Sequence, residues 1–295
     1  MSLRIVAVLA VLAWCAGALV PAPAPERLVL EDLRIPVHSG RATLAITVLR
    51  PRGDGPFGAV ILNHGVGLGE RARSLESPAM LLHTAAEFAQ RGYAVLMPLR
   101  RGFGATGGPY AENPGMCTNA DFARGERAAA ADVLAAYAFA RKLPYVDPKR
   151  VILAGQSAGG VAALYAASQS PPGLQAVLAF AAGRGADPDN PGVPCAAARL
   201  AEVFEDMGRR LKVPVLFYYA KNDLFFGPDA TRGWFARFKA GGARAEYVLQ
   251  PPFGANGHYV FTDAAGVALW LPAVESFLRR HGIPFIPLQT ESRAA

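Results

Sequence analysis

Val151-Ile152-Leu153-Ala154-Gly155-Gln156-Ser157-Ala158-Gly159-Gly160 is the stretch on which the fold turns. Four apolar residues run unbroken into a glycine and small residues follow at once, the pattern of a buried strand that bends sharply into a helix. Gly155 and Gly159 flank Ser157 as G-x-S-x-G. A turn tight enough to lift a hydroxyl clear of a sheet leaves no room for a β-carbon two residues to either side. Ser157 is therefore the candidate nucleophile. The same letters could mark a plain strand-to-helix turn in a chain rich in glycine and alanine; the strand before and the helix after favour chemistry.

Working outward, strand and helix patterns alternate along most of the chain. Arg27 to Val37 and Ala42 to Leu49 alternate apolar and polar residues about the turn His38-Ser39-Gly40, which predicts an antiparallel edge hairpin. Short apolar runs follow at Ala59 to Leu62, Tyr93 to Pro98, Leu174 to Ala181, Val213 to Ala220 and Ala245 to Gln250. Helical patterns fall at Ser77 to Arg91, Asp121 to Lys142, Ala158 to Gln169, Cys195 to Leu211, Thr231 to Lys239 and Ala265 to His281. Strands of continuous rather than alternating apolar character predict a mostly parallel sheet covered on both faces.

A serine hydroxyl needs a base, and the base needs an acid to orient it. In a parallel sheet with this nucleophile turn, acid and histidine follow the serine in that order. Asp223 ends the turn after the strand Val213 to Ala220, and His258 sits in the loop after the next strand. His281, the only other histidine after Ser157, closes a helix before Gly-Ile-Pro and reads as a helix-end cation. Asp229, a few residues into the same loop as Asp223, is the rival acid. Asn63-His64-Gly65-Val66-Gly67 follows a central strand and suits main-chain donors for an oxyanion, with the amides of Val66 and Ala158 as candidates. An ordinary tight loop is the alternative.

The chain has 295 residues, 52% of them hydrophobic and 18% charged, which fits a globular enzyme and excludes a disordered chain. The net charge of +7 is thinly spread, with arginine pairs at 100–101, 209–210 and 279–280 read as solvated surface; nucleic-acid binding has little support. The glycine-rich loop after Pro98 lacks both G-K-[ST] and G-x-G-x-x-G, so a nucleotide site is not expected. No histidine or cysteine pair has metal-ligand spacing, and neither metal nor organic cofactor is expected.

Arg4, the apolar run Ile5 to Val20 and the Pro/Ala repeat after it read as a secretory signal and linker over residues 1–24, followed by a single domain over 25–295. The expected address is therefore secreted or periplasmic, without stable membrane insertion after cleavage. Trp14 before Cys15 is unlike a lipidation site. Cys117 and Cys195 remain, an even pair in an oxidising compartment, which favours a disulfide over two free thiols.

His64-Gly65-Val66-Gly67, Arg101-Gly102-Phe103-Gly104, Val146-Asp147-Pro148 leading to Gly155-Gln156-Ser157-Ala158-Gly159-Gly160, Asp223 and Gly257-His258 together resemble the dienelactone hydrolase-like group of α/β-hydrolases. The resemblance implies the α/β-hydrolase fold, a mostly parallel central sheet with helices on both faces and a small lid insertion after the sixth strand. It also implies a serine hydrolase acting on small-molecule carboxylic esters through an acyl-enzyme, with Ser157, His258 and Asp223 as the triad. Dienelactone hydrolases proper carry a cysteine where this chain has Ser157, which points to a general esterase. A serine peptidase or acyltransferase would use the same residues, and a non-catalytic binding protein on this scaffold is the alternative of another class. On this fold a Cys117–Cys195 bond would tie a lid across the acyl pocket, with Phe103, Tyr110 and the helix Cys195 to Leu211 shaping its wall.

Overall fold

The computed structural model describes residues 28–37 and 40–288. The signal and linker expected over 1–24, Cys15 and His38 lie outside the described residues. Within them one sheet is built from β1 (Leu28–Val37), β2 (Ala42–Pro51), β3 (Phe57–Asn63), β4 (Tyr93–Pro98), β5 (Val146–Gln156), β6 (Leu174–Phe180), β7 (Val215–Ala220) and β8 (Ala245–Gln250). The spatial order is β1-β2-β4-β3-β5-β6-β7-β8. β1 and β2 form the expected edge hairpin, paired antiparallel from Leu28 opposite Pro51 to Val37 opposite Ala42, and β2 joins β4 antiparallel. Every pairing from β4 to β8 is parallel.

The helices are α1 (Gly69–Ser74), α2 (Leu82–Ala89), α3 (Phe122–Ala140), α4 (Ala158–Ala167), α5 (Ala197–Arg210), α6 (Pro228–Ala240) and α7 (Val267–Arg280). They cover both faces, which explains why the strands read as continuous apolar runs. Val151 and Leu153 of β5 join the core under α3, α4, α5 and α6, while Ile152 and Ala154 join the core under α2 and α7. The same division holds on β7, with Val215 and Phe217 on one side and Leu216 and Tyr218 on the other. All ten residues of α4 are buried, and small side chains let it sit directly on the sheet.

Two stretches differ in kind from the sequence expectation, beyond shifts of element ends. The single helix over 77–91 is a 3-10 turn, Pro78–Leu81, capped by the Ser77 hydroxyl and followed by α2. α1 had no sequence signature, because none of its residues is buried and it shows no apolar stripe.

Cys117 and Cys195 are joined as a disulfide, with their Cα atoms 5.6 Å apart. The bond links the connection after β4 to the connection between β6 and α5. Among the described residues no helix is long and apolar enough to cross a membrane.

Candidate active site

Because β3, β5, β6, β7 and β8 run parallel, their carboxyl ends share one edge, where an open sheet of this kind leaves room for a ligand. Ser157 stands there between β5 and α4 with φ 58° and ψ −128°, a backbone conformation unusual for a side chain with a β-carbon. The flanking glycines are needed by contact. A β-carbon at Gly155 would come within 2.3 Å of the Gly159 carbonyl oxygen, and one at Gly159 within 2.2 Å of the His64 carbonyl oxygen. The turn is thus wedged against the loop after β3.

Asp223 and His258 come from the loops after β7 and β8, and both are buried. Asp223 Oδ2 lies 2.9 Å from His258 Nδ1, while Oδ1 accepts the Phe225 and Phe226 amides at 2.8 and 2.9 Å. With Nδ1 engaged, Nε2 is the ring nitrogen left for another partner. The two loops are tied together below the ring. Asn256 Oδ1 accepts the His258 and Leu224 amides, and the Asn222 side chain both accepts the Phe253 amide and donates to the Phe253 and Gly254 carbonyls. Gln156, next to the nucleophile, donates to the His258 carbonyl at 3.1 Å. Ser157 and His258 open on one cleft of about 520 Å³, which Val66, Phe225 and Tyr259 also line. Asp229 opens the first turn of α6, and it is Asp223 rather than Asp229 that meets the imidazole.

Behind the cleft a set of buried groups fixes the loop after β3. Arg100 is fully buried, which corrects its reading as solvated surface. Its guanidinium pairs with Glu112 and donates to the His64 carbonyl at 2.9 Å and the Gly65 carbonyl at 3.4 Å. The Arg100 amide donates to His64 Nε2 at 3.2 Å, so the His64 proton sits on Nδ1 and is donated to the Gly65 carbonyl at 2.7 Å. Burial and the adjacent Arg100 charge hold the His64 imidazole well below its ordinary pKa, so it stays neutral. The Gly65 carbonyl is thereby held by the buried His64 and Arg100 side chains. In a planar trans peptide the next N–H points the opposite way, and Val66 lies on the cleft wall. Ala158 occupies the first turn of α4, where amides have no partner within the helix.

Glu112 also accepts from Arg184 at 2.7 Å, and Arg184 pairs with Glu126 on α3 at 2.5 Å. Burial pushes the Glu112 carboxyl up, but the two guanidinium charges and their hydrogen bonds outweigh it and hold it at about 2. Burial raises Glu126 instead, the Glu112 charge adding to it against the pull of Arg184, and among the described residues its Oε2 has no hydrogen-bond partner. Arg101 is bound by Asp132 through its amide at 2.9 Å and its Nε at 2.8 Å, so it shapes its own loop.

Phe103 and Tyr110, expected on the pocket wall, are placed elsewhere. Phe103 is fully buried, edge-on to the His64 ring at 4.6 Å, and Tyr110 packs on Phe103 and under the Arg73 guanidinium. Neither they nor α5 line the cleft. The aromatic wall is made by Phe225 and Tyr259, and Phe225 meets the His258 ring edge-on at 4.5 Å. Their place two residues after Asp223 and one after His258 was the available signal. Among the described residues no group of three or more His, Cys, Asp or Glu is placed to hold a metal ion.

Residues 39–188, half of the chain, match the family model of X-Pro dipeptidyl-peptidase (S15 family). The chain belongs to the S15 family. It is a hydrolase with the α/β-hydrolase fold, similar to dienelactone hydrolases. Solved structures share that fold at low sequence identity. A Klebsiella pneumoniae protein named as a dienelactone hydrolase is 16% identical with a TM-score of 0.58, covering 86% of this chain and 99% of that one. A Pyrococcus furiosus esterase is 16% identical with a TM-score of 0.60, covering 86% and 90%. A Mycobacterium tuberculosis puromycin-hydrolyzing peptidase is 19% identical with a TM-score of 0.59, covering 89% of this chain and 40% of that one. No curated protein matches by sequence.

Proposed function

We propose that the chain is an exported serine hydrolase of a single domain that cleaves carboxylic esters through an acyl-enzyme. The observation that carries this reading is Ser157 at a strained turn, opening on the same cleft as a His258 whose Nδ1 is held by a buried Asp223 at 2.9 Å. Ser157 Oγ attacks the ester carbonyl carbon as its proton passes to His258 Nε2. The carbonyl electron pair moves onto oxygen, where the Val66 and Ala158 amides receive it; losing one such donor typically costs about 3 kcal/mol of barrier. Collapse expels the alcohol with the proton from His258. Water then repeats the sequence on the acyl-enzyme and releases the acid. Asp223 keeps the proton of the resting imidazole on Nδ1 and balances the imidazolium formed in each half-reaction.

Export is supported by the apolar N-terminal run and by the Cys117–Cys195 bond, which suits an oxidising compartment. The bond also supports a lid role for the segment between β6 and α5. A fluorophosphonate should add to Ser157 in the unreduced protein, with labelling lost in His258→Ala. A full-strength adduct in that variant, or none in the parent, would reject the triad. The family match favours a second reading, a peptidase acting on X-Pro sequences. Nitrophenyl esters compared with X-Pro nitroanilides separate the two.

A further inference from the structure

We infer that the substrates of this site are esters of medium- to long-chain alkanoic acids, with the cleft and its exposed apolar rim holding the acyl chain. This deepens the serine hydrolase reading above and depends on it. The cleft is far larger than an acetyl group needs, and its wall is largely apolar, with Phe225 and Tyr259 beside the His258 ring and Leu68, Ala72, Leu75 and Met80 making up the rest.

The rim is the more telling part. Leu75 is 70% exposed, Leu68 57%, Met80 52% and Tyr259 43%. Single exposed apolar side chains are ordinary on a protein surface, but four around one opening form a patch of the kind that marks a binding surface. Leu68 and Leu75 stand immediately before and after α1, a helix with no buried residue, so the chain holds both out in water. α1 is kept in place by Arg73, whose guanidinium lies 4.3 Å over the Tyr110 ring. The rim residues and Ser157 line one and the same cleft. Whatever covers the rim therefore shares the chamber that ends at the nucleophile, and the occupant with that shape and polarity is the acyl part of the substrate.

Glu76 is the one acid among the residues lining the cleft, and it is the feature that would instead attract a cationic amine. Burial raises its pKa, and the Arg100 charge and the Ser77 amide already draw on its carboxylate. A half-buried acid with partners on its own chain is a weak anchor for a substrate ammonium.

The test measures kcat/KM of the unreduced protein for nitrophenyl acetate, butyrate, octanoate and decanoate and for an X-Pro nitroanilide, beside a Leu75→Ser, Met80→Ser double variant. Each methylene that leaves water should raise kcat/KM by up to about fourfold, so octanoate should exceed acetate by at least about tenfold. The double variant changes only exposed side chains, and its melting temperature checks that it folds. It should lower the octanoate-to-acetate ratio by about fivefold or more. Preference for acetate, preference for the nitroanilide, or an unchanged ratio in the double variant would overturn the acyl-chain inference while leaving a labelled, active Ser157. No turnover at any chain length together with no fluorophosphonate adduct would overturn the serine hydrolase reading and this inference with it.

Discussion

Ser157 carries backbone strain in order to present its hydroxyl, and residues in such conformations typically store about 1–3 kcal/mol. Ser157→Gly should therefore abolish turnover and yet raise the urea midpoint, by about 1 kcal/mol of stability, whereas Ser157→Ala should abolish turnover with little gain. Asp223→Asn keeps the shape of the acid but lets the imidazole rest in the wrong tautomer. In steady-state ester hydrolysis its kcat should fall about 10⁴-fold with KM nearly unchanged. At this scale the sequence disclosed the reacting groups, because Ser157, Asp223 and His258 follow the chain order that goes with a G-x-S-x-G nucleophile turn on this fold. It did not disclose Arg100. An arginine beside a second arginine looks like solvated surface, and its partners Glu112 and His64 are joined to it only by the folded chain. Its place two residues after a strand buried along its whole length was the one hint.

At the scale of elements, strands were legible because burial on both faces leaves no polar positions to interrupt the apolar runs, as in Val151 to Ala154 and Val215 to Ala220. Boundaries were less so. α6 begins three residues before the expected Thr231, because Pro228 supplies a preset first-turn φ and has no amide to leave unpaired. α1 escaped because a helix with no buried face has no periodicity to read. The junction of β5 and α4 with the loop after β3 leaves no room for a β-carbon at Gly159. Gly159→Ala would force a methyl against the Asn63 and His64 carbonyls, at 2.4 and 2.2 Å, and neither backbone can yield without moving the amide of Val66. Thermal denaturation should show a loss of about 3 kcal/mol, with kcat falling in the protein that remains folded.

For the whole molecule, pH and redox state act through the groups behind the cleft. Folded His64 stays neutral while the unfolded chain gains a proton near pH 6.5, so its contribution is complete above that pH and is lost at up to about 1.4 kcal/mol per unit below it. Glu112, held at about 2 against an ordinary 4.5, gives stability that is present above 4.5 and is lost as pH falls through 2. Glu126 acts in the opposite sense, because its raised value favours the folded chain as pH falls. His64 below pH 6.5 and Glu112 below pH 4.5 should therefore pull urea midpoints down as pH falls, with the raised carboxyls of Glu126 and Glu76 offsetting part of the decline. Glu112→Gln should flatten the part of that decline below pH 4.5 and cost about 3 kcal/mol at pH 7, where it leaves Arg100 and Arg184 short of a counter-charge. Replacing Cys117 and Cys195 by serine releases a crosslink spanning 78 residues, worth about 4 kcal/mol on the chain-entropy estimate. For a domain of this size the melting temperature should drop by about 10 °C.

That crosslink also divides the polypeptide into a covalent ring and two tails. The ring, from Cys117 to Cys195, contains α3, β5, Ser157, α4 and β6, while Asp223 and His258 lie on the tail that follows. A protease that nicks the exposed stretch 188–191 leaves the two pieces fastened through sulfur. Such a preparation would run as one band in denaturing electrophoresis until a reductant is added, and then as two.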